Sequence, residues 1–251
     1  LSPVTEAALQ ALKQAIENSY RITVLSGAGM STESGIPDFR SPGGIWEDEA
    51  AMQAMTHSFW RDCPEQFWPK FKAVFMNPVY LNAKPNAGHR ALALMEAQGR
   101  EVTVLTQNVD GLHREAGNSR VYEMHGSIRS AVCPDCRTRY DLDYVLAQDV
   151  PRCSFISMKG VACEAILQPD VVLFEQEVRY LGEALRAVRT CDLLLVLGTS
   201  LTVYPVADLP RYLNRDRAKL VIINLEETDE DGRADLVIHG KVGEVLERVM
   251  G

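Results

Sequence analysis

No stretch of the chain approaches the run of about 18 apolar residues that a membrane helix needs. The opening segment, residues 1–13, also lacks the basic-then-apolar grading of a secretory leader. A membrane protein is therefore excluded as a reading, and a cytoplasmic location is expected. Positive charge is in deficit as well. The 26 Lys and Arg against 34 Asp and Glu leave a formal charge of −8, which works against the basic surface that a nucleic-acid partner requires. An acidic surface is compatible with basic peptide partners, although many soluble proteins share it. There is no internal repeat and no low-complexity segment, so neither a solenoid nor a long disordered linker is expected. What the chain does have is 251 residues with 46% hydrophobic content, enough for a sizeable core in one large domain or in a large and a small one.

Ser2-Pro3 reads as a cap followed by a first-turn proline, and Ala8, Leu9, Leu12, Ala15 and Ile16 form one apolar face of the helix that follows. Residues 21–25 are a β-branched run that stops at Ser26-Gly27-Ala28-Gly29, a strand feeding a glycine turn. Residues 102–106, 193–197 and 220–225 have the length and branching of strands buried on both faces, and residues 235–238 close the series. Helical sequence at 182–188 and 242–250 alternates with them. The expected fold is a doubly wound, Rossmann-like parallel α/β sheet.

Several strand ends carry polar residues. Gly27-Ala28-Gly29-Met30-Ser31-Thr32 suits a phosphate cradle, but Thr32 stands where the dinucleotide fingerprint has glycine, and a simple tight turn competes with that reading. The polar run Ser34-Gly35-Ile36-Pro37-Asp38-Phe39-Arg40 suits a ligand-covering loop. Gln107-Asn108-Val109-Asp110 follows the second strand, where the amides and carboxylate either face a ligand or form the turn into the next helix. Gly198-Thr199-Ser200 and Asn224 sit at two further strand ends. One such end is chance; four on successive strands describe one crevice. His125, in Glu123-Met124-His125-Gly126-Ser127, is a candidate base, with a structural role as the alternative.

Cysteine is unevenly spread. Cys133, Cys136, Cys153 and Cys163 cluster, while Cys63 and Cys191 stand alone. Cys133-Pro-Asp-Cys136 has the spacing of a zinc knuckle, whereas Cys153 and Cys163 are separated by nine residues, so redox pairing is the competing reading. The segment around them, residues 127–167, interrupts the α/β alternation and has little core of its own, which a structural metal would make good.

The residues Gly27-Ala28-Gly29 through Ser34 to Arg40, Pro85-Asn86-Ala87-Gly88-His89, Gln107 to Asp110, His125-Gly126, Cys133-x-x-Cys136 and Gly198-Thr199-Ser200 together resemble the sirtuins in identity, order and spacing. The likeness runs from about residue 20 to residue 249. It implies an NAD-dependent protein-lysine deacylase in which the acyl-lysine carbonyl oxygen displaces nicotinamide from the NAD ribose. The acyl group then passes to that ribose and, with one water taken up, the products are free lysine, nicotinamide and O-acyl-ADP-ribose. Such a reaction needs aligned reactants and a shielded pocket, because a neutral pyridine leaves positive character on the sugar.

By position the resemblance makes His125 the general base, with Asn108 catalytic alongside it. Asn108 and Asp110 would line the nicotinamide pocket with Val109, and Gln107 would hold the ribose. Gly27, Ala28, Gly29, Thr32, Asp38, Phe39 and Arg40 would form the NAD-covering loop. Gly198, Thr199, Ser200, Asn224, Leu225 and Val242 would contact diphosphate, ribose and adenine, and Val172, Phe174 and Glu175 the acylated peptide. Cys133, Cys136, Cys153 and Cys163 would hold one structural zinc. The implied organisation is an NAD-binding domain of residues 1–126 and 168–251, a small zinc domain of 127–167, and a helical insertion of about 41–85 contributing to the latter. The protein is expected to be a monomer.

The chain departs from the family in its wide second cysteine pair, in the lack of glycines after Cys163, and in having Phe174-Glu175-Gln176 where most members have Phe-Gly-Glu. If Glu175 faced the peptide it would favour basic flanking residues, and a solvated carboxylate facing outward is the competing reading. Where desuccinylating members place a Tyr and an Arg, this chain has Trp68 and Phe71, which suits acetyl or longer alkyl groups over succinyl. Two rivals stand beside deacylation: protein ADP-ribosylation on the same fold, and an NAD sensor without turnover.

Overall fold

The computed structural model describes residues 4–38 and 49–251. Its main sheet has six parallel strands in the order β3-β2-β1-β7-β8-β9. These are β1 (Arg21–Ser26), β2 (Glu101–Thr106), β3 (Val121–Glu123), β7 (Leu193–Leu197), β8 (Lys219–Asn224) and β9 (Leu236–His239). The central strands are apolar along their whole length because both faces are covered, and all five residues of β7 are buried. On one face lie α1 (Glu6–Glu17), α6 (Ala87–Ala97) and α10 (Val242–Met250), whose Leu12, Ile16, Leu92, Met95 and Leu246 pack on Val24, Val104 and Leu195. On the other, Ala184 and Val188 of α9 (Leu181–Thr190) and Val206 and Leu209 of the turn after β7 cover Leu25, Leu194 and Val196.

The first helix departs from the sequence expectation at its start. It begins at Glu6, and Thr5 caps it by accepting the Ala8 N–H at 3.2 Å, while Ser2 and Pro3 lie outside the described residues. Among the described residues no helix is long and apolar enough to cross a membrane.

A second, antiparallel sheet, β5-β4-β6, is built from β4 (Gly126–Val132), β5 (Arg139–Asp141) and β6 (Gln168–Val171). Short helices α3 (His57–Asp62) and α4 (Pro64–Phe75) supply its core with Trp60, Phe67, Trp68 and Phe71, which pack with Ile128, Leu167, Cys133 and Cys153. The indoles of Trp60 and Trp68 both donate to the Leu167 carbonyl, at 3.2 and 2.8 Å, so the helical segment and the cysteine-bearing segment share one core.

Candidate functional site

Strand order reverses between β1 and β7, and the turns that leave their carboxyl ends lie against each other. The Gly27 N–H donates to the Leu197 carbonyl at 3.1 Å and the Gly29 N–H to that of Gly198 at 2.8 Å. Gly198 adopts φ +57°, and a Cβ there would stand 2.3 Å from the Met30 nitrogen, so only glycine permits this approach. A doubly wound sheet opens its ligand crevice at such a switch point.

The continuation of β2 forms the next wall. Asn108 is buried, and its amide donates to the Gly27 carbonyl at 3.0 Å and to Ser31 Oγ at 3.1 Å. With both N–H groups engaged, the remaining hydrogen-bonding capacity of this amide is its oxygen. Ser31 Oγ donates in turn to Asp110 Oδ2 at 2.7 Å, and the Leu112 N–H donates to Oδ1 at 2.9 Å. Burial raises the Asp110 pKa, and those two hydrogen bonds oppose the rise. Ser31 is thus a hinge-pin of the site that the sequence reading left unassigned, although it lies inside the glycine turn.

His125 follows β3. Its Nδ1 lies 3.0 Å from the Gln107 carbonyl. A carbonyl can only accept, so Nδ1 carries the proton and the neutral ring presents Nε2 as its basic nitrogen. Burial lowers the His125 pKa below the usual imidazole value, and the Gln107 bond works the other way. Gln107 Nε2 reaches across to Thr199 Oγ1 at 3.1 Å, joining the ends of β2 and β7. Beyond them, the Gly198 N–H donates to the Ile223 carbonyl at 2.9 Å, and Asn224 donates to the Glu226 carbonyl at 2.9 Å. Val242 is buried at the start of α10, while Ser200 and Leu225 are exposed. Ala28, Thr32 and Asp38 are partly buried on the first turn and its sequel, and Val109 is buried. Phe39 and Arg40 lie outside the described residues.

On the small-sheet side, Val172 donates to the His125 carbonyl at 2.7 Å, Phe174 is exposed, and Phe174 pairs with Thr56 in a parallel bridge. Glu175 has its partner on the first turn of α3. Its carboxylate accepts from the Ser58 N–H and Oγ, both at 2.9 Å, at the first turn of α3. It is thereby held on α3. Its φ of +77° is the left-handed conformation that glycine adopts without strain, which accounts for the glycine usual at this position in the resemblance.

The four clustered cysteine sulfurs lie within 4.8 Å of one another, with Cys133 to Cys163 at 3.5 Å and Cys136 to Cys153 at 3.4 Å. Tetrahedral zinc places its thiolates about 3.8 Å apart, so this donor set fits the metal. The wide spacing of the second pair is absorbed by a hairpin in which Ile156 pairs with Ala162 and the Cys163 N–H donates to the Phe155 carbonyl.

His89 and His113 are buried together beside the first turn. Asn86 accepts the N–H groups of Gly88 and His89, while His89 Nδ1 accepts the Asn86 N–H at 3.3 Å, a capping box closed by histidine. Asn86 also donates to the Met30 carbonyl at 2.8 Å, tying α6 to the first turn. The His89 ring meets that of His113 edge-on at 4.7 Å, and His113 Nε2 lies 2.9 Å from Ser26 Oγ. Burial lowers the His89 pKa to about 4 and that of His113 well below its usual value. Both rings are therefore neutral in the fold, and their contribution to stability is complete above pH 6.5. It is lost as pH falls towards the folded value, because the unfolded chain then binds more protons. For His89 the loss between pH 6.5 and 4 amounts to about 3 kcal/mol. Asp110 and Glu123, whose pKa values burial raises, act in the opposite sense, so the informative quantity is a difference between variants. The fall in Tm from pH 7 to 4 is expected to shrink in His89→Gln, and an equal fall would remove His89 from the acid response.

A parallel sheet with glycine turns packed together at its switch point, an amide and a histidine at the neighbouring strand ends, and a four-thiolate centre in the adjoining sheet belong to a doubly wound α/β protein of the dinucleotide-binding class. The Sir2 family model matches residues 27–205. An NAD-dependent protein deacetylase of Bacillus subtilis is 47% identical over 238 residues, covering 94% of this chain and 96% of that one. One of Chromobacterium violaceum is 43% identical over 246 residues, 98% of each. Among solved structures, a Sir2 complex with a peptide and NAD+ superposes with a TM-score of 0.83 at 35% identity, covering 96% of this chain and 97% of that one. A Sir2 protein bound to a propionylated peptide gives 0.82 at 34%, with the same coverage. The chain belongs to the Sir2 family.

Proposed function

We propose that the protein is an NAD-dependent protein-lysine deacetylase and that the switch-point crevice binds NAD. The observation that carries this reading is the His125 arrangement, an imidazole whose Nδ1–H is fixed on Gln107 so that Nε2 is left basic, set beside the buried Asn108 and Asp110. NAD supplies the ribose carbon that the acyl oxygen attacks and the nicotinamide that departs. His125 Nε2 takes a proton from a ribose hydroxyl. Asn108 and Asp110, with Val109, line the nicotinamide side and exclude water, and Gln107 steadies the ribose. Gly27, Ala28, Gly29, Thr32, Asp38, Phe39 and Arg40 contact the dinucleotide from the first turn and its sequel. Gly198, Thr199, Ser200, Asn224, Leu225 and Val242 do so from the ends of β7 and β8 and the start of α10.

The acylated lysine peptide adds as a strand beside Val172 and Phe174, through backbone hydrogen bonds, with Glu175 holding the segment by its tie to Ser58. Cys133, Cys136, Cys153 and Cys163 hold one zinc. Four thiolates leave no open coordination position, so the metal is structural. The division of the chain follows the same reading: residues 1–126 and 168–251 bind NAD, and 127–167 form the zinc domain together with helices from the first segment. We assign it to the cytoplasm, as a monomer.

The proposed acyl preference rests on Trp68 and Phe71, which stand where desuccinylating members place a Tyr and an Arg. Trp68 and Phe71 are fully buried and apolar, and Lys72 is engaged with the carbonyls of Val145, at 2.8 Å, and Gln148. With no guanidinium at these positions, a succinyl carboxylate taken out of water by the enzyme would lose its hydration without gaining a bidentate partner here. A panel of acyl peptides with NAD is expected to give kcat/KM for acetyl at least about tenfold above succinyl, since an unpaired buried charge costs well over the 1.4 kcal/mol that a factor of ten represents. Faster turnover of the succinyl peptide would overturn the assignment, and an absence of nicotinamide release with every peptide would overturn the proposed function itself.

A further inference from the structure

Beyond its ties to β7, Asn108 and Asn86, the first glycine turn is fastened to the last helix. Glu33 lies in the short helical turn Thr32–Ser34 that continues it. Its carboxylate accepts the Gly243 N–H at Oε2, 2.6 Å, and the Glu244 N–H at Oε1, 3.2 Å. These are two of the N–H groups that the first turn of α10 leaves without helical partners, and a carboxylate there is favoured by the helix dipole as well as by the bonds themselves. The approach depends on the residue opposite. A Cβ added at Gly243 would lie 2.8 Å from both carboxylate oxygens, so any larger residue would displace Glu33. The clasp spans 210 positions of sequence and joins residues 28–35 to the helix whose first residue is Val242.

We propose that Glu33 is a positioning residue for NAD: seated on the start of α10, it holds the first turn and the α10 wall at the separation the dinucleotide needs. This rests on the NAD reading of the crevice. Glu33 touches none of the reacting atoms. It acts through the population of chains in which both walls are in place, and ligand affinity falls in proportion when that population falls. An anion-binding helix start is at the same time filled by the protein's own carboxylate and is closed to the diphosphate.

The experiment compares Glu33→Ala, Glu33→Gln, Gly243→Ala and the double variant with Glu33→Ala, by hydrogen exchange without ligand, by calorimetric titration with NAD, and by steady-state kinetics. Glu33→Ala is expected to speed exchange across residues 28–38 and to raise the NAD Kd and KM about fivefold, as follows if the pinned arrangement drops to about a fifth of the population. The kcat and the peptide KM stay within twofold. Glu33→Gln, which keeps an acceptor oxygen, restores part of the affinity. Gly243→Ala reproduces the defect alone and adds nothing to Glu33→Ala, because the clash requires the carboxylate. Unchanged exchange and Kd in Glu33→Ala, or full additivity in the double variant, would overturn the proposal. Should the parent protein fail to bind NAD, the function is wrong, while the exchange data still decide whether the clasp holds the turn.

Discussion

His125→Ala is expected to lower kcat for deacetylation by about 10² to 10⁴, the range a positioned general base supplies, and to leave NAD affinity within a few-fold. The size of the effect follows from the geometry. The Gln107 carbonyl orients the ring and fixes the proton on Nδ1, so the variant loses a pre-aimed lone pair that water must replace. The binding loss is expected to be small because the proposed dinucleotide contacts lie elsewhere, on the first turn and at the ends of β7 and β8. The pH dependence carries the same signature. Burial depresses the His125 pKa, so the base remains unprotonated to a lower pH than free imidazole. The acid limb of kcat/KM should therefore fall below pH 6.5, and it should vanish from the residual rate of the variant. Turnover near the parent rate in His125→Ala would remove this residue from the mechanism.

The second large effect concerns the thiolates. Cys133 and Cys153 are buried in the same core as Trp68, Phe71 and Leu167, so the metal site and the small domain's packing are one structure. Zinc contributes roughly 10 to 16 kcal/mol to the folding of metal-dependent peptides at neutral pH, far more than this small sheet can replace by packing. Metal analysis is expected to find one zinc per chain. A strong chelator, or exchange of all four cysteines for serine, is expected to unfold the β5-β4-β6 sheet and abolish activity, because β6 runs directly into the Val172–Phe174 segment beside His125. Zinc-free protein, or full folding and turnover after the fourfold exchange, would contradict this.

How much was legible in the sequence depended on whether the signal was local. β1, β2, β7 and β8 announce themselves as β-branched runs because parallel strands are buried on both faces. Structure and pattern agree there to within a residue or two, with β9 starting one residue later than expected. The glycine turns, the amide pair and the cysteine cluster are local too. The ties that hold the site together are not. Glu175 finds Ser58 at a separation of 117 positions, and Glu33 finds Gly243 across nearly the whole chain. No periodicity or spacing rule marks either partner. In the sequence Glu175 could face a peptide or point into solvent; the pair of donors at the start of α3 holds its carboxylate there. Ser31 was hidden for another reason. A serine after a glycine turn has many ordinary uses, and only the approach of Asn108 and Asp110 gives it a particular one.

The most direct test of deacetylation by acyl transfer to NAD is a mass-resolved product balance, taken with the zinc-replete protein, an acetyl-lysine peptide and NAD. The expected result is nicotinamide, free-lysine peptide and O-acetyl-ADP-ribose in equal amounts, with no product when either substrate is omitted. Nicotinamide released alongside ADP-ribose attached to protein, with the peptide still acetylated, would contradict the account, and so would NAD bound to the protein and returned unchanged.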